Sequence, residues 1–135
     1  MKKFMFVFVI GALVLAACGG GGAGGPDANR GKALYEQSTI GSASAPGCVT
    51  CHTLDGTVLV GPSFKGVATH AENIIKDPSY TGSAKTAEEY LRESIINPNA
   101  YLHPGFAAGI MYQNYGTELS EQEVNDLVAY LLTLK

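Results

Sequence analysis

The sequence predicts a small all-α domain whose helices are joined by long loops, and three observations carry that prediction. The C-terminal stretch opens with Ser120 and Glu123 at capping-box spacing and then places Val124, Leu127, Val128, Leu131 and Leu134 on one helical face. A second helix opens at Thr86, paired with Glu89 in the same way, and carries Ala87, Leu91, Ser94 and Ile95 along a stripe until Asn97-Pro98 stops it. No segment alternates apolar and polar residues as a strand does, and no internal repeat is present.

The N-terminus reads as a targeting segment. Lys2 and Lys3 precede an apolar run, Phe4 to Ala17, that is too short to cross a bilayer core of about 20 helical residues. It ends in LAAC, Leu15 to Cys18, and a charged start, an apolar centre and a small-residue exit make a secretory signal. LAAC resembles the lipobox of bacterial lipoproteins, which implies cleavage before Cys18 and a lipid on its thiol. An uncleaved anchor helix is the competing reading, and both leave an exported chain tethered at the outer face of the membrane. The expected organisation is therefore a signal peptide over 1–17, a lipidated cysteine and glycine-rich linker over 18–28, and one domain over 29–135. The linker, GGGGAGGPDA, is too rich in glycine for regular structure and spans about 17 Å as a flexible coil.

Charge excludes one class of partner. The chain has nine basic and twelve acidic residues, and loss of Lys2 and Lys3 leaves seven basic, a formal charge of −5. A nucleic-acid binder needs a basic face to neutralise phosphates, and none is visible.

Within the domain, a first helix is expected from about Asn29 to Ser38, with Asn29 or Asp27 at its cap and Gly31, Leu34, Tyr35 and Ser38 on one face. Residues 41–47, GSASAPG, read as loop. Residues 56–85 read mostly as loop with a short helix around Glu72 to Lys76, and residues 98–118 as a second long loop. Three helices with two such loops bury little apolar surface, and structureless loops beyond twenty residues are uncommon in compact domains. A large apolar cofactor would complete the core.

The motif that supplies one is CVTCH, Cys48 to His52. C-x-x-C-H is the attachment signature of c-type haem. Two thiols reach the two vinyl groups of one porphyrin, and the next residue sets an imidazole under the iron. On this reading Cys48 and Cys51 are the tethers of one covalent haem c and His52 is the proximal iron ligand. The competitors are weaker. A dithiol redox site belongs at a helix start in an α/β domain, and the strands are missing. A zinc site wants further ligands, and no other cysteine is free once Cys18 carries a lipid. A disulfide across two residues closes a small, strained loop.

For the sixth iron position the mature chain offers Met111, His103 and His70. Met111 lies 59 residues after His52 in FAAGIMYQNYG, a stretch without the apolar periodicity that would mark a core methionine. It is the favoured ligand, and a His/Met pair raises the reduction potential. His103, in the same loop, remains the rival, and His70 reads as a surface residue.

Several spaced segments over residues 29–135 now resemble the monohaem class I cytochromes c. GKALY, Gly31 to Tyr35, is similar to the first-helix pattern in which a glycine and an aromatic pack against the last helix, where Leu127 and Tyr130 match the partners. GPSFKGV resembles the segment after the haem motif, and by that resemblance Pro62 gives its carbonyl to the other nitrogen of the proximal histidine. NPNAYL, GIMYQNYG and ELSEQEVNDLVAYL resemble the cytochrome c domain of haem-copper oxidase subunit II, although those domains often read methionine-proline where this chain has Met111-Tyr112. The chain also lacks a tryptophan for the propionates, leaving Tyr101, Tyr112 or Asn114, and lacks the lysine ring of mitochondrial cytochrome c. The resemblance implies the class I cytochrome c fold, with three main helices and long loops wrapped around one covalent haem.

The function expected is electron transfer by a membrane-anchored carrier, not an enzyme, with both axial iron positions filled by His52 and Met111. The partners implied are membrane electron-transfer complexes: a quinol-oxidising complex such as alternative complex III, a terminal oxidase or a photosynthetic reaction centre. The protein would serve as a free carrier or as a subunit of one of these. The alternatives are a ligand-binding, sensor or peroxidase-like haem domain with an open sixth position, and a lipoprotein without haem that holds a structural disulfide.

Overall fold

The computed structural model describes residues 24–135, so the signal peptide over 1–17, Cys18 and the first part of the linker lie outside the described residues. Five helices appear in the order α1 (Ala28–Tyr35), α2 (Val67–Ile74), α3 (Ala87–Ile96), α4 (Tyr115–Glu118) and α5 (Glu121–Leu131). The three expected main helices correspond to α1, α3 and α5. The two others lie in segments read mostly or wholly as loop. The only strand pairing among the described residues is a two-residue antiparallel pair, β1 (Thr39–Ile40) with β2 (Ala45–Pro46), which leaves the class all-α.

Helix α1 starts where the Asp27 carboxylate accepts the backbone N–H groups of Asn29 and Arg30 at 2.8 and 3.1 Å. It stops at Tyr35, so Ser38 is outside it and faces β2 instead, accepting the Gly47 N–H on its carbonyl. Helix α5 has the full capping box: Ser120 accepts from the Glu123 N–H, and the Glu123 carboxylate accepts from the Ser120 N–H. Helix α3 has half of one. Thr86 accepts the Glu89 N–H at 3.1 Å, but the Glu89 carboxylate turns to the Lys85 N–H. Helix α2 has no capping side chain and starts from Gly66 at φ +69.

The fold is organised by the crossing of α1 and α5, its most extensive helix contact. A side chain at residue 31 would fall on the Asp126 carbonyl and come within 2.8 Å of the Tyr130 Cβ, so the two backbones meet only because Gly31 has none. Val124, Leu127, Val128 and Leu131 form the buried face of α5, with Leu134 only partly buried. Tyr90, Leu91 and Ile95 of α3 and Ala71 and Ile74 of α2 close the core from the other side. Tyr90 joins the expected stripe, in which Ala87 and Ser94 are only partly buried, and an aromatic cluster of Tyr80, Tyr90 and Tyr101, with ring centroids 5.3–6.2 Å apart, fills that face.

One ion pair ties the crossing. Asp126, buried on α5, accepts from Arg30 Nε and Nη2 at 2.7 and 2.9 Å, from Gln122 at 2.9 Å and from the Asp27 backbone N–H at 2.8 Å. The Arg30 hydrogen bond holds the Asp126 carboxyl below its ordinary range against the opposing effect of desolvation. A carboxylate with a depressed folded-state value stabilises the fold above its unfolded value and loses that contribution as pH falls through the folded one. Asp126→Asn is therefore expected to lower the denaturant midpoint at pH 7, with the gap to the parent protein narrowing as pH drops below about 4, near the unfolded aspartate value. Denaturant melts at several pH values measure it, and a gap that stays constant into acid would show that Asp126 acts through packing and not through charge.

Candidate functional site

The chain from Gly47 to Thr53 makes one tight turn. Cys48–Thr50 is a 3-10 helix in which the Cys51 and His52 N–H groups both bond to the Cys48 carbonyl, at 3.1 and 2.9 Å. Backbone hydrogen bonds closing on one carbonyl bring Cys48, Cys51 and His52 to the wall of a single cavity of about 1030 Å³. Both thiols are free. Burial pushes the Cys48 thiol up to about 11, so it stays protonated at neutral pH.

His52 is buried, and its environment is specified on every side. Its Nδ1 lies 2.7 Å from the Pro62 carbonyl oxygen. A carbonyl only accepts, so Nδ1 carries the proton and Nε2 keeps its lone pair. Desolvation lowers the pKa of the ring, outweighing the Pro62 hydrogen bond that works against it, and the imidazole is neutral at pH 7. The Phe64 ring stacks on it, with centroids 4.2 Å apart and planes 14° from parallel. The Tyr35 hydroxyl donates to the His52 carbonyl at 2.8 Å. A Cβ on Gly61 would approach Nδ1 and Nε2 to 2.8 and 3.0 Å, so a bare backbone is needed beside the ring.

The remaining sequence candidates reach the same cavity. Met111 lines it and is half-buried against the core. Tyr101, Tyr112 and Asn114 line it as well. So do His103 and His70, and the two are paired with each other. His70 is exposed, as expected, but it is not an isolated surface residue. Sequence reasoning missed Gly61, Phe64 and the Tyr35 hydroxyl, which act on His52 from nine to seventeen positions away. An apolar ring inside the polar stretch GPSFKG was the signal available for Phe64.

The donor set fits a covalent haem. The cavity matches the upper end of the size range for cofactor sites, about 300–1,000 Å³. Its wall presents two unpaired thiols at C-x-x-C spacing and a neutral imidazole with a bare nitrogen, and no cluster of three or more metal-binding side chains competes with them among the described residues. The cytochrome c family model matches residues 28–135. The chain belongs to the cytochrome c family. It is similar to cytochrome c2 of Rhodopseudomonas palustris strain ATCC BAA-98 / CGA009, 29% identical over 151 aligned positions that cover 100% of this chain and 99% of the relative. A second cytochrome c2 of Rhodopseudomonas palustris is 30% identical over 125 positions, covering 81% of this chain and 99% of that protein. The protein is a monohaem class I cytochrome c, its cofactor is one covalent haem c with Cys48 and Cys51 at the attachment spacing, and its activity is electron transfer.

Gly61→Ala is expected to destabilise the holoprotein by about 1–3 kcal/mol, the usual cost of overpacking a filled site, because the new methyl displaces the His52 ring from Pro62. Gly25→Ala is the control, since nothing lies within 4 Å of a Cβ there. Thermal unfolding followed in the haem absorption measures both, and equal midpoints for the two variants would contradict the account.

Proposed function

We propose that this cytochrome is an exported electron carrier, tethered to the membrane through a lipid on Cys18, with His52 and Met111 as the two axial iron ligands. The observation that carries this reading is that one cavity gathers the two thiols, the neutral His52 and Met111. The haem supplies a ferric/ferrous one-electron couple when bound. Everything else asked of the chain is structural. The Pro62 carbonyl orients His52 and raises its basicity through Nδ1. Met111 offers a thioether, a soft and polarisable donor, from a loop whose neighbouring Tyr112 hydroxyl is anchored on Glu118 at 2.6 Å. Phe64 and the core tyrosines keep water from the imidazole face.

A haem held by both His52 and Met111 would leave no site for a substrate, and the protein would then transfer electrons without catalysing a reaction. The partner is a membrane electron-transfer complex: a quinol-oxidising complex such as alternative complex III, a terminal oxidase or a reaction centre. Likeness to oxidase subunit II domains in GIMYQNYG and ELSEQEVNDLVAYL supports a role beside, or within, such a complex. A net charge of −5 on the mature chain gives little steering toward acidic surfaces, and a tether raises the local concentration that charge does not.

Met111→Ala is expected to remove the ferric thioether-to-iron band while leaving the covalent haem in place, as read from oxidised and reduced optical spectra. A parent protein without that band, and with a haem spectrum that the substitution leaves unchanged, would remove Met111 from the iron and turn the reading toward a ligand-binding haem with His103 or an open position. Cys18→Ala is expected to move the protein from the membrane to the soluble fraction after cell fractionation. Retention of the variant in the membrane would point to an uncleaved anchor.

A further inference from the structure

Two histidines that line the cavity pair with each other. His70 lies on α2 and His103 on the loop after α3, and their Nε2 atoms are 2.8 Å apart with ring centroids separated by 5.0 Å. We propose that His70 and His103 form a binding site for one divalent transition-metal ion of the Zn²⁺ or Cu²⁺ class, and that the ion clips the Met111 loop to α2. The inference rests on the reading above in leaving His103 free of the iron, and the optical spectrum of the Met111→Ala variant tests that reading separately.

The tautomers are the first argument. His103 Nδ1 lies 3.2 Å from the Pro104 carbonyl oxygen, which can only accept, so the proton sits on Nδ1 and the Nε2 lone pair faces His70. An outer N–H held by a carbonyl is the arrangement that orients metal-bound histidines. His70 supplies the hydrogen in the pair through Nε2. When a metal takes its place, His70 moves that proton to Nδ1 through water, both Nε2 lone pairs bind the ion, and no net proton is released.

Geometry is the second argument. Two imidazole nitrogens at Zn–N bonds of about 2.0–2.1 Å and a tetrahedral angle stand about 3.3 Å apart, so an opening of about 0.5 Å admits the ion. His70 is exposed, which leaves room for water in the other positions. No third His, Cys, Asp or Glu joins the pair among the described residues. The site is therefore two nitrogens plus water, which suits borderline metals and excludes Ca²⁺ and Mg²⁺, whose ligands are oxygens. Affinity should follow the order Cu²⁺ above Zn²⁺.

The test uses ferric holoprotein purified without a polyhistidine tag, in which Cys48 and Cys51 are consumed as thioethers. Calorimetric titration with Zn²⁺ is expected to give one equivalent bound, and His70→Gln and His103→Gln are each expected to abolish it. In the parent protein, Cu²⁺ is expected to show two coordinated nitrogens by electron paramagnetic resonance, and Zn²⁺ to slow amide exchange across residues 98–113. Absence of a bound equivalent, one nitrogen or none on Cu²⁺, or undiminished binding in either variant would overturn the site. The parent protein's nitrogen count decides the matter even if a variant fails to fold.

Discussion

Two helix backbones meet at Gly31 of α1 and the Asp126 carbonyl of α5, an approach that leaves no room for a side chain at residue 31. That contact permits the Tyr35 ring, one turn further along α1, to sit 5.6 Å from Tyr130 in the same crossing and 6.0 Å from Phe64. The Tyr35 hydroxyl then reaches the His52 carbonyl, while Phe64 lies flat on the His52 ring. A side chain at residue 31 would push the helices apart, and the displacement would be felt at the imidazole through two aromatic rings. The haem motif is thus positioned by the helix crossing even though it belongs to neither helix. Close packing transmits such shifts because protein interiors have little compressibility.

The size of the cavity explains why the helices alone do not account for the fold. The buried cluster is concentrated on α5 and the faces turned to it, with Leu127 and Val124 at its centre. On the other side the described residues wrap a cavity of about 1030 Å³. A small domain buries a low fraction of its surface, and this one leaves a further interior face to be covered by a cofactor. Covalent attachment through Cys48 and Cys51 suits that arrangement, because a group that completes the core cannot be allowed to dissociate.

The elements that were legible in the sequence are those whose signal is local. The capping box at Ser120 and the stripe from Val124 to Leu131 specify α5 within one helix, and CVTCH names its cofactor within five residues. Helix α4 was not legible, since four residues cannot show a 3.6-residue period, and α2 starts at a glycine in place of a capping side chain. At α3 the capping pair was read correctly in kind but only half forms, because the Lys85 N–H offered Glu89 a competing partner. The surroundings of His52 were partly hidden for a different reason. Gly61 and Phe64 act through contacts between segments that are not helical, where spacing along the chain says nothing about distance. Only resemblance to a family brought Pro62 into view. The His70–His103 pair joins residues 33 positions apart and has no sequence signature at all.

The loop after α3 shows how a segment without regular structure can still be held in place. Side chains brace it at short intervals. Asn99 donates to Gln113 at 2.6 Å and accepts from the Gly109 N–H at 3.0 Å, and Gln113 donates to the Met111 carbonyl at 2.5 Å. Thr81 donates to the Ala100 carbonyl at 3.1 Å, so the loop is also tied to the segment before α3. That segment is itself fixed by Glu93, which accepts from the Tyr80 and Ser83 hydroxyls at 2.6 Å each. Gly109, at φ +76, takes a left-handed turn that other residues resist and sets its N–H toward Asn99. Electron transfer asks that the protein keep nearly one geometry in both oxidation states, and preorganised groups do not have to rearrange when the charge changes. A loop cross-braced by polar side chains meets that demand without a helix, and it does so at the place where the backbone must leave room for the cofactor.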